Sequence, residues 1–289
     1  MKICPACQAR HSDIGWRCPQ CGARPPAAGG VLSFATPDPT QSAPYDSSAY
    51  ARLIEVEAGY FWFRHRARLA LQALRRWFPA ARDFCEVGCG TGYMLSRIST
   101  GLPMLNCTAT EIFVEGLAYA GKRCPAATLL QADATHLPFE AEFDVIGAFD
   151  VIEHIAEDVR ALLEFHRALR PGGGLLLTVP QHPWLWSAAD KRAGHQRRYT
   201  RAELRDKVRR AGFTIIRDTS FVSLLLPLIA LSRRKQVREP ADPMREFRIS
   251  PWLNRALLAV LNVERWLILL GLRMPAGGSL LLVARKEPA

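Results

Sequence analysis

Residues 83–95 read Asp83-Phe-Cys-Glu86-Val-Gly88-Cys89-Gly90-Thr-Gly92-Tyr93-Met-Leu95. An apolar run ends in an acid, glycines follow at alternate positions, and a helical pattern then begins. Glycine lets the chain turn sharply and lets a ligand come close to the backbone. The N–H groups opening the next helix are free to meet a carboxylate or a phosphate. A dinucleotide fingerprint needs a small residue where Tyr93 stands, and a phosphate loop needs Gly-Lys-Ser/Thr, which is absent.

Downstream, the same alternation continues. Strand-like runs fall at Asn106–Thr110, Thr128–Ala132, Phe143–Ala148, Gly174–Val179, Phe213–Asp218 and Ser279–Ala284, with helical segments such as Asp158–Leu169 and Arg201–Ala211 between them. This predicts an α/β fold with a doubly wound, mostly parallel sheet over residues 51–289. Ligands of such sheets bind beyond the carboxyl ends of the strands. Glu111 ends the second strand, where a carboxylate can accept from both hydroxyls of a ribose. Asp133 ends the third, where a carboxylate can read an adenine amino group, and Asp150 ends the fourth, facing the same cleft.

The segments Glu86-Val-Gly88-Cys-Gly90-Thr-Gly92, Glu111, Asp133-Ala-Thr-His-Leu-Pro-Phe139, Phe149-Asp-Val-Ile-Glu-His154-Ile155 and Leu169-Arg-Pro-Gly-Gly173, in this order, resemble class I S-adenosylmethionine-dependent methyltransferases across about residues 51–285. The resemblance implies S-adenosyl-L-methionine as cofactor and a Rossmann-like seven-stranded sheet of order 3-2-1-4-5-7-6, the last strand antiparallel. It places the methionine part of the cofactor on Glu86, Gly88, Cys89, Gly90 and Gly92, the ribose on Glu111 with Ile112, and the adenine beside Asp133 and Ala134. Phe149 joins the cofactor set from the fourth strand. The stretch Glu57-Ala-Gly-Tyr-Phe-Trp62-Phe63-Arg64-His-Arg66-Ala-Arg68 is similar to a lead helix of the ubiquinone-biosynthesis-methyltransferase-like branch, which covers the cofactor. Its aromatics can dock it on the sheet while its guanidinium groups face an anion, or the aromatics alone can hold it.

Methyl transfer is an in-line displacement, in which the protein aligns the nucleophile and, for oxygen, removes its proton. His154 follows the fourth strand and is a candidate base; the alternative is a structural histidine beside the cofactor. The loop after the fifth strand reads Gln181-His182-Pro-Trp184-Leu-Trp186-Ser-Ala-Ala-Asp190-Lys-Arg-Ala-Gly-His195-Gln-Arg197-Arg198-Tyr199-Thr200. Its His195, Arg198 and Tyr199 resemble a His-x-x-Arg-Tyr pattern of the same branch. His195 is therefore a second catalytic candidate, and Trp184, Arg198 and Tyr199 are candidates for substrate binding, against simple anchoring of the loop. Thr200 and Glu203 form a capping box for the next helix.

Residues 1–24 hold Cys4-Pro-Ala-Cys7, ten further residues, then Cys18-Pro-Gln-Cys21-Gly22. Two C-x-x-C pairs offer four thiolates, which suits tetrahedral structural Zn²⁺ in a zinc ribbon. So short a module cannot build a core unaided. Residues 25–50, with prolines among Gly, Ser, Ala and Thr, read as a flexible linker. Cys4, Cys7 and His11 lie where an apolar signal core would fall, so no secretory signal or disulfide is expected and a cytoplasmic location follows.

A hydrophobic fraction of 49% and a charged fraction of 22% exclude a disordered or fibrous chain. Residues 1–180 carry 17 basic and 18 acidic side chains, whereas residues 181–289 carry 21 and 9, so the whole basic excess lies in the last third. Solvated faces explain this, or an anionic partner does. Phe221–Leu231 is apolar and precedes Arg233-Arg234-Lys235. Trp252–Arg273 reads as an amphipathic helix with Trp252, Ala256, Val260, Val263, Leu267 and Leu270 on one side and Asn254, Arg255, Asn262, Glu264, Arg265 and Arg273 on the other. Residues from about 220 to 273 are thus a helical substrate cap, a surface for an anionic membrane, or both. Three functions follow. The first is methylation of a small or lipid-like acceptor, at oxygen. The second is RNA methylation, with the zinc ribbon recognising the substrate; a nucleic-acid partner lacks a clear basic groove. The third is a cofactor-binding module without catalysis.

Overall fold

The parallel sheet is present and is wider than the expected one. A computed structural model describes residues 1–12, 15–35, 48–235 and 247–288. In chain order the strands are β1 (Lys2–Ile3), β2 (Arg10–His11), β3 (Ala27–Ala28), β4 (Val31–Ser33), β5 (Asp83–Val87), β6 (Asn106–Glu111), β7 (Thr128–Gln131), β8 (Phe143–Phe149), β9 (Leu169–Pro180), β10 (Phe213–Phe221) and β11 (Ser279–Lys286). The helices are α1 (Ser48–Val56), α2 (Phe61–Trp77), α3 (Tyr93–Gly101), α4 (Val114–Arg123), α5 (Asp158–Ala168), α6 (Ala188–Arg192), α7 (Arg201–Arg210), α8 (Leu226–Lys235) and α9 (Pro251–Leu269).

Nine strands form one sheet in the order β10-β11-β9-β8-β5-β6-β7-β4-β3. From β7 to β10 this is the expected seven-strand order, and β11 runs antiparallel to both its neighbours. The two added strands come from the segment read as a flexible linker. Leu32 pairs in parallel with Leu130, and Ser33 Oγ donates to Gln131 Oε1 at 2.7 Å. An open sheet edge offers unpaired N–H and C=O groups, and residues 27–33 cover it. The rest of the expected linker, 36–47, lies outside the described residues.

Alternation along the strands assigns the two faces. Phe84, Val145, Leu176, Leu281 and Val283 pack under α2, α3, α4 and α9. Cys85, Ile146, Leu175, Leu177 and Leu282 pack under α5 and α7. Both faces are apolar because both are covered, as parallel sheets require. The cysteine module joins the second face. Its Trp16 ring lies 4.6 Å from Phe34 and 5.6 Å from Phe139, and Ile3 N–H donates to Pro138 O at 2.9 Å.

Helix α9 is rotated relative to the sequence expectation. Leu258, Leu261 and Glu264 point inward, while Trp252, Ala256, Val260, Val263 and Leu270 are exposed. Specific polar contacts set this rotation. Glu264 accepts the N–H groups of Val222 (2.6 Å), Ser223 (2.6 Å) and Leu224 (2.9 Å) at the end of β10. Asn254 Oδ1 caps α2 by accepting from Phe61 N–H at 2.8 Å, and Asn262 Oδ1 accepts from Arg68 at 2.7 Å. No helix among the described residues is long and apolar enough to cross a membrane.

Candidate active site

The glycine loop joins β5 to α3. Gly88, Gly90 and Gly92 have φ of +70°, +51° and +74°, a region that glycine enters freely. A Cβ on Gly88 would lie 2.6 Å from Val151, and one on Gly92 would lie 2.7 Å from the Ala120 backbone. Buried side chains fix the loop from below. Thr91 Oγ1 donates to Glu57 at 2.6 Å, and Arg123 pairs with the same carboxylate. Glu111 Oε2 accepts from Gly90 N–H at 2.9 Å, and its Oε1 accepts from Ile112 N–H (2.8 Å) and Phe113 N–H (3.2 Å). Burial pushes the Glu111 carboxyl up, against the pull of these three N–H groups. A carboxylate has about four lone-pair sites, so Glu111 retains capacity for a ligand hydroxyl.

Glu86 is buried, and its Oε2 has no hydrogen-bond partner. Desolvation pushes its carboxyl well above the usual range, and Arg66 pulls it back. Arg66 itself pairs with Asp150, donates to Phe149 O at 3.3 Å, and lies 4.6 Å from the Trp62 ring centre. The lead helix α2 therefore delivers a guanidinium to a carboxylate at the end of β8. Asp133, beside Ala134, accepts from Thr135 N–H and Oγ1, each at 2.8 Å. Cys89 is buried, and burial pushes its thiol up, which leaves it unreactive.

Three strand ends carry non-glycine residues in the left-handed region: Asp150 (φ +58°), His182 (φ +66°) and Val222 (φ +57°). Such backbone persists only where surrounding contacts hold it, as Arg66 and Thr178 hold Asp150.

The two histidine candidates do meet. The rings of His154 and His195 stand edge to face, 4.7 Å between centres. Burial first, and then the neighbouring His195, lower His154 to about 4, so it is neutral at physiological pH and a weak base. His195 Nδ1 is 2.9 Å from Asp190 Oδ1. Glu153, beside them, is fully buried with both oxygens unpartnered; desolvation first, and then Asp150, push it well above the usual carboxylate range.

The substrate candidates separate. Trp184 is 60% exposed. Arg198 is engaged with Asp190 (2.7 Å) and the Gln181 carbonyl (3.1 Å). Tyr199 is fully buried, with its hydroxyl donating to Asp158 Oδ2 at 2.6 Å, a placement that matches the loop-anchoring alternative. Arg197 and Lys207 converge on the same aspartate. Glu153 and Asp190 were not among the expected site residues, and Asp150 was expected only at the cleft end of its strand. An acid beside His154, and another five positions before His195, were the available signals.

In the N-terminal module, Cys4 and Cys21 Sγ lie 3.7 Å apart, and Cys7 and Cys18 Sγ lie 3.6 Å apart. All four sulfurs fall within 4.8 Å of one another. Each C-x-x-C pair is followed by a left-handed residue, Gln8 (φ +61°) and Gly22 (φ +73°). The two turns close alike, through Gln8 N–H to Cys4 O (3.0 Å) and Gly22 N–H to Cys18 O (2.9 Å).

Comparison with known proteins agrees with this geometry. A family described as methyltransferase domain matches residues 58–218. A Mycobacterium tuberculosis protein named a probable S-adenosylmethionine-dependent methyltransferase is 31% identical over 134 residues, covering 44% of this chain and 45% of that protein. A phthiotriol/phenolphthiotriol dimycocerosates methyltransferase of Mycobacterium ulcerans is 34% identical over 96 residues, covering 32% of this chain and 35% of that one. The chain spans about half the length or less of these curated relatives. Among solved structures, the [4+2]-cyclase SpnF superposes with a TM-score of 0.59 at 20% identity, covering 86% of this chain and 97% of that one. The likeness to SpnF is one of fold alone.

Proposed function

The chain belongs to the methyltransferase-domain family, and we propose that it transfers a methyl group from S-adenosylmethionine to an oxygen of a small or lipid-like acceptor. The observation that carries this reading is the buried Glu86 carboxylate at the carboxyl end of β5, whose Oε2 has no hydrogen-bond partner. Buried polar groups without partners are costly, and a cationic ligand relieves them. The donor fits. Its ammonium and sulfonium groups are cationic, and we read the glycine loop as the seat of its methionine part, Glu111 as the partner of its ribose and Asp133 as the partner of its adenine. S-adenosylmethionine supplies an activated methyl on sulfur; the residues here bind it, exclude water and align the acceptor.

An apolar acceptor is supported by the outer face of α9. Trp252 is 70% exposed and Leu270 is 78% exposed, with Val263, Trp266 and Leu272 also in solvent. Arg68, Arg75 and Arg265 line a cleft of about 400 Å³ beside Trp266. Exposed aromatics flanked by arginines suit an anionic lipid surface. One relative is named for a lipid-like acceptor.

Purified protein is to be incubated with methyl-labelled S-adenosylmethionine, anionic vesicles and an extract of the source cells. Label is expected in the organic-soluble fraction, falling at least tenfold in a Trp252→Ala/Trp266→Ala variant. Label in RNA would overturn the acceptor class, and donor binding without transfer to any fraction would overturn catalysis.

The cysteine module is read as a zinc site. A tetrahedral zinc with bonds of about 2.3 Å places its sulfurs about 3.8 Å apart, close to the 3.6 and 3.7 Å observed. The protein is expected to carry one zinc per chain, and chelation is expected to raise amide exchange across residues 1–24. Unchanged protection after complete metal removal would dismiss the zinc.

A further inference from the structure

Three metal-binding side chains converge beyond the end of β8. One ligand atom each from Glu153, His154 and His195 lies within 4.8 Å of the others. Glu153 has no access to solvent, and neither of its oxygens has a hydrogen-bond partner. The nearby guanidinium groups are committed elsewhere, Arg66 to Asp150 and Arg198 to Asp190. A buried carboxylate in this condition calls for a cation.

His195 is held as a ligating histidine would be. Its Nδ1 meets Asp190 Oδ1 at 2.9 Å, which leaves Nε2 directed at Glu153 Oε1, 3.9 Å away. Asp190 is itself fixed by Arg198 Nε (2.7 Å) and by Ser187 N–H and Oγ (2.9 and 3.0 Å). A carboxylate behind an imidazole sets its tautomer and orients its other nitrogen toward a metal. Gln196 sets the register between the two segments: its N–H donates to Glu153 O at 2.8 Å and its Nε2 to His154 O at 2.9 Å.

We propose that Glu153, His154 and His195 bind one divalent transition-metal ion, which holds the oxygen of the methyl acceptor. Two imidazoles and a carboxylate on one side of an ion leave coordination positions open for oxygen ligands. Bonds of about 2.0–2.2 Å bring ligand atoms to about 3 Å apart, so a spread of up to 4.8 Å contracts when the ion enters. The ion makes a hydroxyl more acidic, and its proton leaves to solvent. The oxygen–carbon bond then forms as the sulfur–carbon bond of the donor breaks, and sulfur keeps the bonding pair. The acceptor role rests on the methyltransferase reading above; the binding of the ion does not.

The test titrates the full chain with Mn²⁺ while free ion is counted by electron paramagnetic resonance. Thiolates favour softer metals, so the four N-terminal cysteines contribute little to this count. One Mn²⁺ per chain is expected in wild type and in Cys18→Ser. Glu153→Gln and His195→Ala are each expected to weaken binding at least tenfold. Asp190→Asn, which keeps all three ligands, is expected to weaken it less. Thermal melts identify folded variants, and His195→Gln replaces His195→Ala if the latter unfolds. Absence of saturable Mn²⁺ binding, or equal binding by wild type and a folded His195 variant, overturns the site. S-adenosylhomocysteine affinity is measured on the same samples. Its absence in wild type would overturn the methyltransferase reading, and the Mn²⁺ titration would still decide the ion site.

Discussion

Replacing Glu264 by alanine is expected to destabilise the fold by about 3–5 kcal/mol, read as a lower urea midpoint at unchanged slope. The carboxylate is fully buried and accepts three successive N–H groups, from Val222, Ser223 and Leu224. Alanine would leave all three donors buried without an acceptor, at about 1–3 kcal/mol each before relaxation. Val222 also sits at φ +57°, unfavourable for a β-branched residue, and the Glu264 contact holds it there. His65, equally buried, lies 3.4 Å from the same carboxylate, and burial lowers its tendency to take a proton. Removing Glu264 strands that imidazole as well. Because α9 is keyed to β10 through this residue, increased protease cleavage within 251–269 is expected alongside the lost stability. Glu264→Gln keeps one acceptor oxygen and should recover part of the loss. A loss below about 1 kcal/mol in the alanine variant would show that the three N–H groups find other partners.

The sequence displayed the elements that alternate in hydrophobicity. All seven strand runs appear, most within about three residues of their expected ends, because most strands of a doubly covered sheet are apolar on both faces; β9 begins five residues earlier than expected, at Leu169. The glycine loop was legible because Gly88 and Gly92 have neither the φ nor the space for a side chain. Two features were hidden for the opposite reason. Residues 27–33 have little apolar pattern, and their place in the sheet comes from backbone pairing to β7, which composition does not encode. The rotation of α9 was hidden because its polar residues are spent on single long-range hydrogen bonds, such as Asn254 to Phe61, and hydrophobic periodicity treats every polar residue as a solvent face. At the site, motif spacing located His154 and His195 but gave no account of Asp190, which lies five residues before His195 and positions it. The two readings of Tyr199, substrate contact or loop anchor, could not be separated in the sequence, because a tyrosine near a cleft reads the same whether its hydroxyl faces a ligand or, as here, a buried aspartate.

Glu86→Gln is expected to move stability and donor affinity in opposite directions. The Glu86 carboxylate has lost its water and has an unpartnered Oε2, so its ionised form is costly in the ligand-free fold. The sign follows from linkage. The folded carboxyl takes up a proton more readily than the unfolded one, so its contribution to stability is full below the unfolded value and declines as pH rises through the folded value. Glutamine does not titrate. The two proteins should therefore melt similarly in acid. The variant should gain on the order of 1 kcal/mol over wild type as pH rises above the usual carboxylate range toward neutrality. Donor affinity should fall instead, by about 10–100-fold, because the cationic part of S-adenosylmethionine loses the charge that offsets it. At a fixed donor concentration, the rise in melting temperature on ligand addition should accordingly be smaller in the variant than in wild type. A variant that is less stable at neutral pH while binding the donor as well as wild type would mean that Glu86 is satisfied within the fold. Its carboxylate would then serve the structure of the glycine loop and not the donor.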